Sequence, residues 1–137
     1  MRINPYLAFN GNCREAFEFY QVALKGEMAM MFTNGESPMA SEMPADMHDK
    51  IMHARLIVGD VDLMGGDIPA GQVAKVGNVS VSINVDDAAE ADRVFAALSE
   101  GATVDMPIQT TFWAERFGML TDRFGIAWMV NCEAKPV

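Results

Sequence analysis

Basic residues are scarce in this chain. Ten Lys and Arg stand against nineteen Asp and Glu, a formal charge of −9 over 137 residues. Phosphate binding needs clustered cations, so nucleic acid is not expected as a partner, and an anionic membrane surface is disfavoured for the same reason. The acidic excess reads as a solvated shell. Long apolar runs are missing too. None approaches the roughly 18 residues of a membrane span, and the opening from Met1 to Tyr6 has no apolar segment of the signal-peptide kind. Cysteine is nearly absent: Cys13 and Cys132 stand in unrelated contexts without CxxC spacing. Two buried thiols in a reduced, cytoplasmic protein explain them better than a disulfide framework. A phosphate-cradling glycine loop, a GxSxG elbow and a dinucleotide fingerprint are likewise lacking.

What is there is an ordinary globular composition, half hydrophobic and 21% charged, in a chain long enough to bury one core without staples. Residues 1–137 are therefore read as a single domain. Two segments carry helix punctuation. One opens at Asn12 with Glu15 three residues on and stops at Gly26; the other opens at Asp87 with Glu90 three residues on and stops at Gly101. Each opening reads as a capping box, and each glycine as a left-handed stop. Every one of these marks lies 75 residues after its counterpart. The apolar stripes follow, with Ala16, Phe19, Tyr20 and Ala23 mapping to Ala91, Val94, Phe95 and Leu98 at helical spacing. Agreement of caps, stops and stripe together indicates an internal duplication.

Strand patterns surround each helix: residues 3–9, 28–32, 51–58 and 61–64 in the first half, and 79–85, 103–108, 113–120 and 126–130 in the second. Gly59-Asp60 suits a tight hairpin. The expected class is α+β, two βαβββ modules, the first spanning about residues 1–66, a Gly-containing linker about 67–77, and the second about 78–132. Between the second and third strands, residues 33–50 form a long acidic segment in which Met39, Met43 and Met47 are spaced as a helical stripe that Pro44 interrupts. Methionine there reads first as an adaptable packing residue.

Alternation along the strands assigns faces. Val79, Val81, Ile83 and Val85 are expected to face a helix, leaving Ser80, Ser82 and Asn84 opposite. Met52, Ala54, Leu56 and Val58 form the apolar set of the first hairpin, so His53, Arg55 and Ile57 share the other face, with Asp62 and Met64 across from them. Leu7, Phe9 and Met129 are placed beside these polar groups. An apolar surface with a few convergent polar groups is what a small-molecule pocket looks like, and a twisted sheet of two such modules curls; a solvated one-sided sheet is the alternative.

The segments Asn4-Pro5-Tyr6-Leu7-Ala8-Phe9, Ala16-Phe17-Glu18-Phe19-Tyr20, Ile51-Met52-His53-Ala54-Arg55, Thr111 to Gly118 and Thr121 to Asn131 resemble the PhnB-like proteins. These belong to the vicinal-oxygen-chelate superfamily of glyoxalases, bleomycin-resistance proteins and extradiol dioxygenases. The resemblance runs nearly end to end. It implies a curved mixed sheet, or half-barrel, with the helices on its outer face, and a homodimer. It also implies, for the metal-dependent members, one divalent ion held by His, Gln or Glu from the first and last strand of each module. Carried over, those four positions fall at or beside Pro5, Met64, Ser80 and Met129. None is a normal ligand for Zn, Mg, Mn or Fe(II), and thioether sulfur suits soft Cu(I). No metal and no other cofactor is therefore expected. Some PhnB-like proteins are described as ubiquinone-pathway methyltransferases, but no glycine-rich cofactor loop follows a strand here.

Among single side chains, His53 is the leading candidate for a proton carrier, with a structural histidine as the alternative. Arg55 suits an anionic ligand or a structural pair with Asp62. Trp113, Glu115 and Phe117 share one strand face, offering flat walls and an acid or base; core or dimer packing explains the aromatics equally well. Trp128 reads as core. His48 and His53 have metal-ligand residue types but lack further ligands. The expectation is a dimeric small-molecule binding protein whose pocket draws on Arg55, Asp62, Met64, Ser80, Ser82, Asn84, Trp113, Phe117 and Met129. The alternatives are a lyase- or dioxygenase-type enzyme, catalysed by His53 and Glu115 or by a displaced metal, on a small anionic or aromatic substrate, and a partner-binding domain whose cavity its own side chains fill.

Overall fold

β-Branched and aromatic residues alternate with small or polar ones on both sides of each helix pattern, and each such run becomes a strand. In the computed structural model, which describes residues 1–69, 71–74 and 77–134, the chain divides into two units, Met1–Lys75 and Val76–Val137. The first contains β1 (Tyr6–Phe9), α1 (Cys13–Leu24), β2 (Glu27–Thr33), β3 (Ile51–Val58) and β4 (Val61–Asp67). The second contains β5 (Val81–Val85), α2 (Ala88–Leu98), β6 (Thr103–Gln109), β7 (Ala114–Thr121) and β8 (Ala127–Glu133). Strand orders are β1-β4-β3-β2 and β5-β8-β7-β6. In each unit the first strand runs parallel to the last, and the remaining pairs are antiparallel. These are the two βαβββ modules expected. β4 continues through Asp67, beyond the expected stop at Met64. Ala70, Lys75 and Val76 of the expected linker, and residues 135–137, lie outside the described residues.

Each helix covers one face of its own sheet. On α1 the buried residues are Cys13, Ala16, Phe17, Tyr20 and Ala23; Phe17, four residues after Cys13, joins the stripe, while the expected Phe19 is only half-buried. On α2 they are Ala91, Val94, Phe95 and Leu98, as expected. Glycine in the facing strand lets the helix come close. A Cβ at Gly65 would stand 2.7 Å from Phe17 Cε1, and one at Gly118 would stand 2.6 Å from Phe95 Cε1. Phe9 meets Phe17 edge-on at 6.0 Å between centroids and tilts against Tyr20 at 6.5 Å. Leu7 and Phe9 therefore belong to the helix face, which corrects their expected placement beside the polar groups. The reason is one residue. Three residues, Asn10 to Asn12, join β1 to α1, whereas Asp86 and Asp87 alone join β5 to α2. The helices keep the repeat of 75, but Phe9 corresponds in facing to Val85, which pairs with buried Cys132. Gly11 (φ 101°) absorbs the extra residue in a left-handed turn.

Helix ends differ from the symmetrical caps expected. The Asp87 carboxylate accepts the Glu90 N–H at 2.7 Å, while the Glu90 carboxylate meets Arg93 at 2.6 and 2.9 Å. Asn12 makes no side-chain cap. Its role passes to Asp67 at the end of β4: Oδ1 accepts the N–H groups of Gly11 and Cys13, both at 3.0 Å, and Oδ2 accepts that of Ile51 at 2.8 Å. One carboxylate thus ties the start of α1 to the start of β3 and the end of β4. α1 stops at Lys25 (φ 53°); Gly26 is there because a Cβ would meet Leu56 Cγ at 2.9 Å. In the second unit buried Asp122 serves the β7–β8 turn, accepting the N–H groups of Phe124 and Ile126 at 2.9 Å and Trp128 Nε1–H at 2.8 Å. Trp128 is core, as expected. The Met-rich segment forms three short 3-10 turns, Asn34–Glu36, Ala40–Glu42 and Ala45–Met47, instead of one helix.

Replacing Asp67 by Ala removes three charge-assisted hydrogen bonds to backbone N–H groups, so Asp67→Ala is expected to lower stability by about 2–4 kcal/mol. Urea unfolding measures this, and a loss under about 0.5 kcal/mol would remove the clamp from the account. Burial first, then the Asp67 charge, pushes the Cys13 thiol up to about 12. A thiol held neutral in the fold contributes stability below its ordinary titration, and that stability fades as pH climbs toward the raised value. At pH 8 Cys13 is expected to resist aromatic disulfide reagents until urea unfolds the chain; rapid labelling of native protein would contradict the assignment.

Candidate functional site

The helix-free face of the first sheet gathers the candidates of that half. Strand register sets them in rows: Met30 opposite Arg55, Arg55 opposite Met64, and Met64 beside Tyr6; Phe32 stands opposite His53 in the next row. His53, Arg55, Asp62 and Met64 do share this face, as expected. Tyr6, Phe32 and Met30 join them. Tyr6 stacks on His53 with centroids 5.8 Å apart and planes 25° from parallel, and Phe32 tilts toward the imidazole at 6.3 Å. Gly66 is the floor beneath this stack, because a Cβ there would fall 2.9 Å from Tyr6 Oη and 2.7 Å from Met52 O. Burial first, then the Cys13 thiol, raises the Tyr6 phenol above its ordinary value, which keeps it protonated and a donor near neutral pH.

Arg55 and Asp62 pair at 3.3 Å between Nε and Oδ2, yet Arg55 Nε is buried and makes no hydrogen bond. Proximity without N–H alignment reconciles the two observations. The pair is partly exposed and contributes about 0–1 kcal/mol at most. His53 makes ring contacts only, with no hydrogen bond from either nitrogen among the described residues. His48 is different: its Nε2 lies 2.9 Å from Ala40 O and 3.2 Å from Met43 O. Carbonyls accept, so this nitrogen carries a proton and holds the 3-10 turns together. The described residues contain no group of three or more His, Cys, Asp or Glu side chains arranged for a metal ion.

In the second unit Phe117, Met119, Met129, Asn131, Ser82 and Asn84 line the helix-free face, and Asn131 Nδ2 donates to Asn84 Oδ1 at 3.1 Å. Ser80 precedes β5 and is exposed. Trp113 lies in the loop before β7, edge-on to Phe117 at 5.5 Å and to the exposed Phe112 at 4.8 Å. Glu115 departs from the expected alignment with Trp113 and Phe117. A bulge between Ala114 and Arg116 offsets the register, and its carboxylate stands 3.9 Å from the thiol of Cys132. Arg116 reaches Asp92 on α2 at 3.1 Å, a helix-side contact. Two clefts border the 3-10 turns: one of about 200 Å³ between Asn34, Met43, Pro44, Met47, Asp67 and Pro69, and one of about 160 Å³ beside Lys50 and Gln72.

Tyr6 and Phe32 were not anticipated. The signal for Tyr6 lay in the unequal strand-to-helix connections, because counting back from Asn12 with one extra residue moves Tyr6 off the helix face. Phe32 shares the face through β2, whose register with β3 shifts at Met28/Met30 and again at Phe32/Thr33.

Two βαβββ modules, each leaving one sheet face free of its helix, define a vicinal-oxygen-chelate fold; a glyoxylase/bleomycin resistance protein/dioxygenase domain from a Frankia species shares it at TM-score 0.66 and 14% identity, covering 98% of both chains. Residues 1–131 match the family model described as 3-demethylubiquinone-9 3-methyltransferase, and the chain belongs to that PhnB-like family. It is 34% identical to Protein YjdN of Escherichia coli over 96% of this chain and 95% of that one. Protein PA1353 of Pseudomonas aeruginosa, a crystal structure, is 54% identical with TM-score 0.89 over 98% of this chain and 99% of that one. A Bacillus cereus structure described as a putative 3-demethylubiquinone-9 3-methyltransferase, PhnB protein, matches in fold at TM-score 0.77 and 21% identity, covering 96% and 99%. No described helix is long and apolar enough to cross a membrane.

Gly66→Ala is expected to push the Tyr6 ring off His53 at a cost of about 1–3 kcal/mol, as overpacking does. Loss of the Tyr6–His53 ring cross-peaks in NMR reports it, and an unchanged ring contact would show that the glycine is not what seats the stack.

Proposed function

We propose that this chain is a small-molecule binding protein of the PhnB-like kind, acting as a cytoplasmic homodimer in which residues 1–137 form one functional domain of two modules. The observation that carries this reading is the helix-free face of the first unit. Tyr6, Phe32, Ile57 and Met64 surround two polar groups, His53 and Arg55, that make no hydrogen bond among the described residues, although Arg55 stands in an ion pair with Asp62. Buried or half-buried polar groups lacking partners are costly unless something else satisfies them. Ser82, Asn84, Trp113, Phe117 and Met129 are the corresponding ligand-facing candidates of the second unit, with Ser80 at its margin.

The superfamily's usual metal does not fit these residues. The resemblance places ligands at or beside Pro5, Met64, Ser80 and Met129; strand pairing sets Tyr6, next to Pro5, beside Met64, and Ser82 in place of Ser80 beside Met129. Two thioethers, a phenol and a hydroxyl do not form a site for a hard or borderline divalent ion, so no step is assigned to a metal. Methyl transfer, which the family description names, is not carried over either, because no glycine-rich cofactor loop follows a strand. Catalysis by His53 is the second reading, favoured by its two uncommitted ring nitrogens; Glu115, beside Cys132, is less well placed to assist it.

Purified protein is expected to carry far less than one divalent ion per chain by elemental analysis, and its melting temperature is expected to be insensitive to chelators. About one tightly held ion per chain would reverse the reading. A turnover that His53→Ala abolishes while the fold survives would move the case to catalysis.

A further inference from the structure

Resting on the reading that this face holds a small molecule, we propose that its ligand is a planar aromatic monoanion, with a carboxylate on Arg55 and a ring against Tyr6 and His53. β1 to β4 contain a single Arg or Lys, Arg55, and it sits on the helix-free face with its side chain 38% exposed and its buried Nε turned to Asp62 without a hydrogen bond. A guanidinium presents paired N–H groups in a plane, which a carboxylate meets with two parallel bonds. Asp62, 3.3 Å from that Nε, already offsets part of the positive charge. Arg55 and Asp62 together carry no net charge, so a ligand carboxylate must compete with Asp62 for the guanidinium, which a single negative charge can do and a dianion such as a phosphate monoester does at greater repulsive cost.

Shape supplies the rest. His53 and Arg55 are two residues apart on one strand face, a separation on the order of 7 Å. A carboxylate held by Arg55 therefore directs its substituent along the strand toward the imidazole. There Tyr6 stacks on His53 within 25° of parallel and Phe32 tilts in from one side, so the lining is aromatic and a ligand ring can extend the stack. Gly66 contributes no side chain beneath it. A flat ring fits such a wall better than a puckered aliphatic one, because offset stacking needs a face on both partners.

Titration calorimetry with benzoate, benzamide, cyclohexanecarboxylate and phenylphosphonate, paired with NMR shifts of Tyr6, His53 and Arg55, tests the assignment. Benzoate is expected to bind at least about tenfold more tightly than the other three. Arg55→Met is expected to weaken benzoate by about tenfold to a hundredfold and to leave benzamide unchanged; Arg55→Lys, which keeps charge and packing but loses the fork, is expected to fall between. Asp62→Asn removes the competing carboxylate and is expected to tighten benzoate. Far-UV circular dichroism confirms that each variant is folded. Benzamide binding as well as benzoate, or a folded Arg55→Met and Arg55→Lys pair that binds benzoate like the parent, overturns the ligand class while leaving the face as a binding site. If none of the four probes shifts the face residues, the binding reading itself falls, and the ligand class with it.

Discussion

An aromatic ring seated on a glycine holds each unit together. Phe17 occupies the space that a Gly65 side chain would fill, and Phe95 occupies that of Gly118. Helix and sheet approach closely only because those two positions lack a Cβ, and the close approach commits one face of each sheet to the core. The other face is then released from packing duty within its unit. Residues there can be polar, incompletely bonded and chemically useful without weakening the core that supports them. Burial of Leu56, Leu63 and Ala54 on one side and half-burial of His53, Arg55 and Met64 on the other follow from the same constraint.

Two acids, half-buried Asp67 and buried Asp122, do structural work in this protein. Asp67 gathers three backbone N–H groups at the start of α1 and β3, and Asp122 gathers two more with the Trp128 indole. Both satisfy donors that chain ends and turns would otherwise leave unpaired. Their role narrows the candidates for chemistry, because a carboxylate saturated by backbone donors is not free to bind a ligand or move a proton. Arg55 and His53 stand in contrast: among the described residues His53 makes ring contacts only, and Arg55 has an ion pair with Asp62 but no hydrogen bond. Polar groups already consumed by the fold and polar groups left over by it are distinguished by their partners, and residue type alone does not separate them.

Family membership and function separate for the same reason. The βαβββ pair and the match over residues 1–131 place the chain among the PhnB-like proteins, but chemistry resides in side chains grafted on the fold. Strand pairing sets Tyr6 beside Met64 and Ser82 beside Met129 on the helix-free faces, an aromatic ring and a hydroxyl each next to a thioether.

Periodicity alone determined much of this protein. Helix patterns recurring at 75 residues revealed the duplication, because helical spacing is local and survives any arrangement of the strands, although Asn12 makes no cap and Lys25, not Gly26, takes the left-handed stop. Alternation in Ile51 to Val58 and Val61 to Met64 placed His53, Arg55 and Asp62 on one face without coordinates, since a hairpin of two turn residues leaves no freedom in register. Tertiary structure decided what depends on a single inserted or bulged residue. Gly11 reverses the facing of Leu7 and Phe9 relative to the repeat and brings Tyr6 to His53, and the bulge before Arg116 takes Glu115 to Cys132. Side chains two residues apart share a face and those one apart do not, so one extra residue changes every neighbour beyond it. That step is too small to register in a hydrophobic pattern, yet it chose which aromatic ring stands beside the histidine.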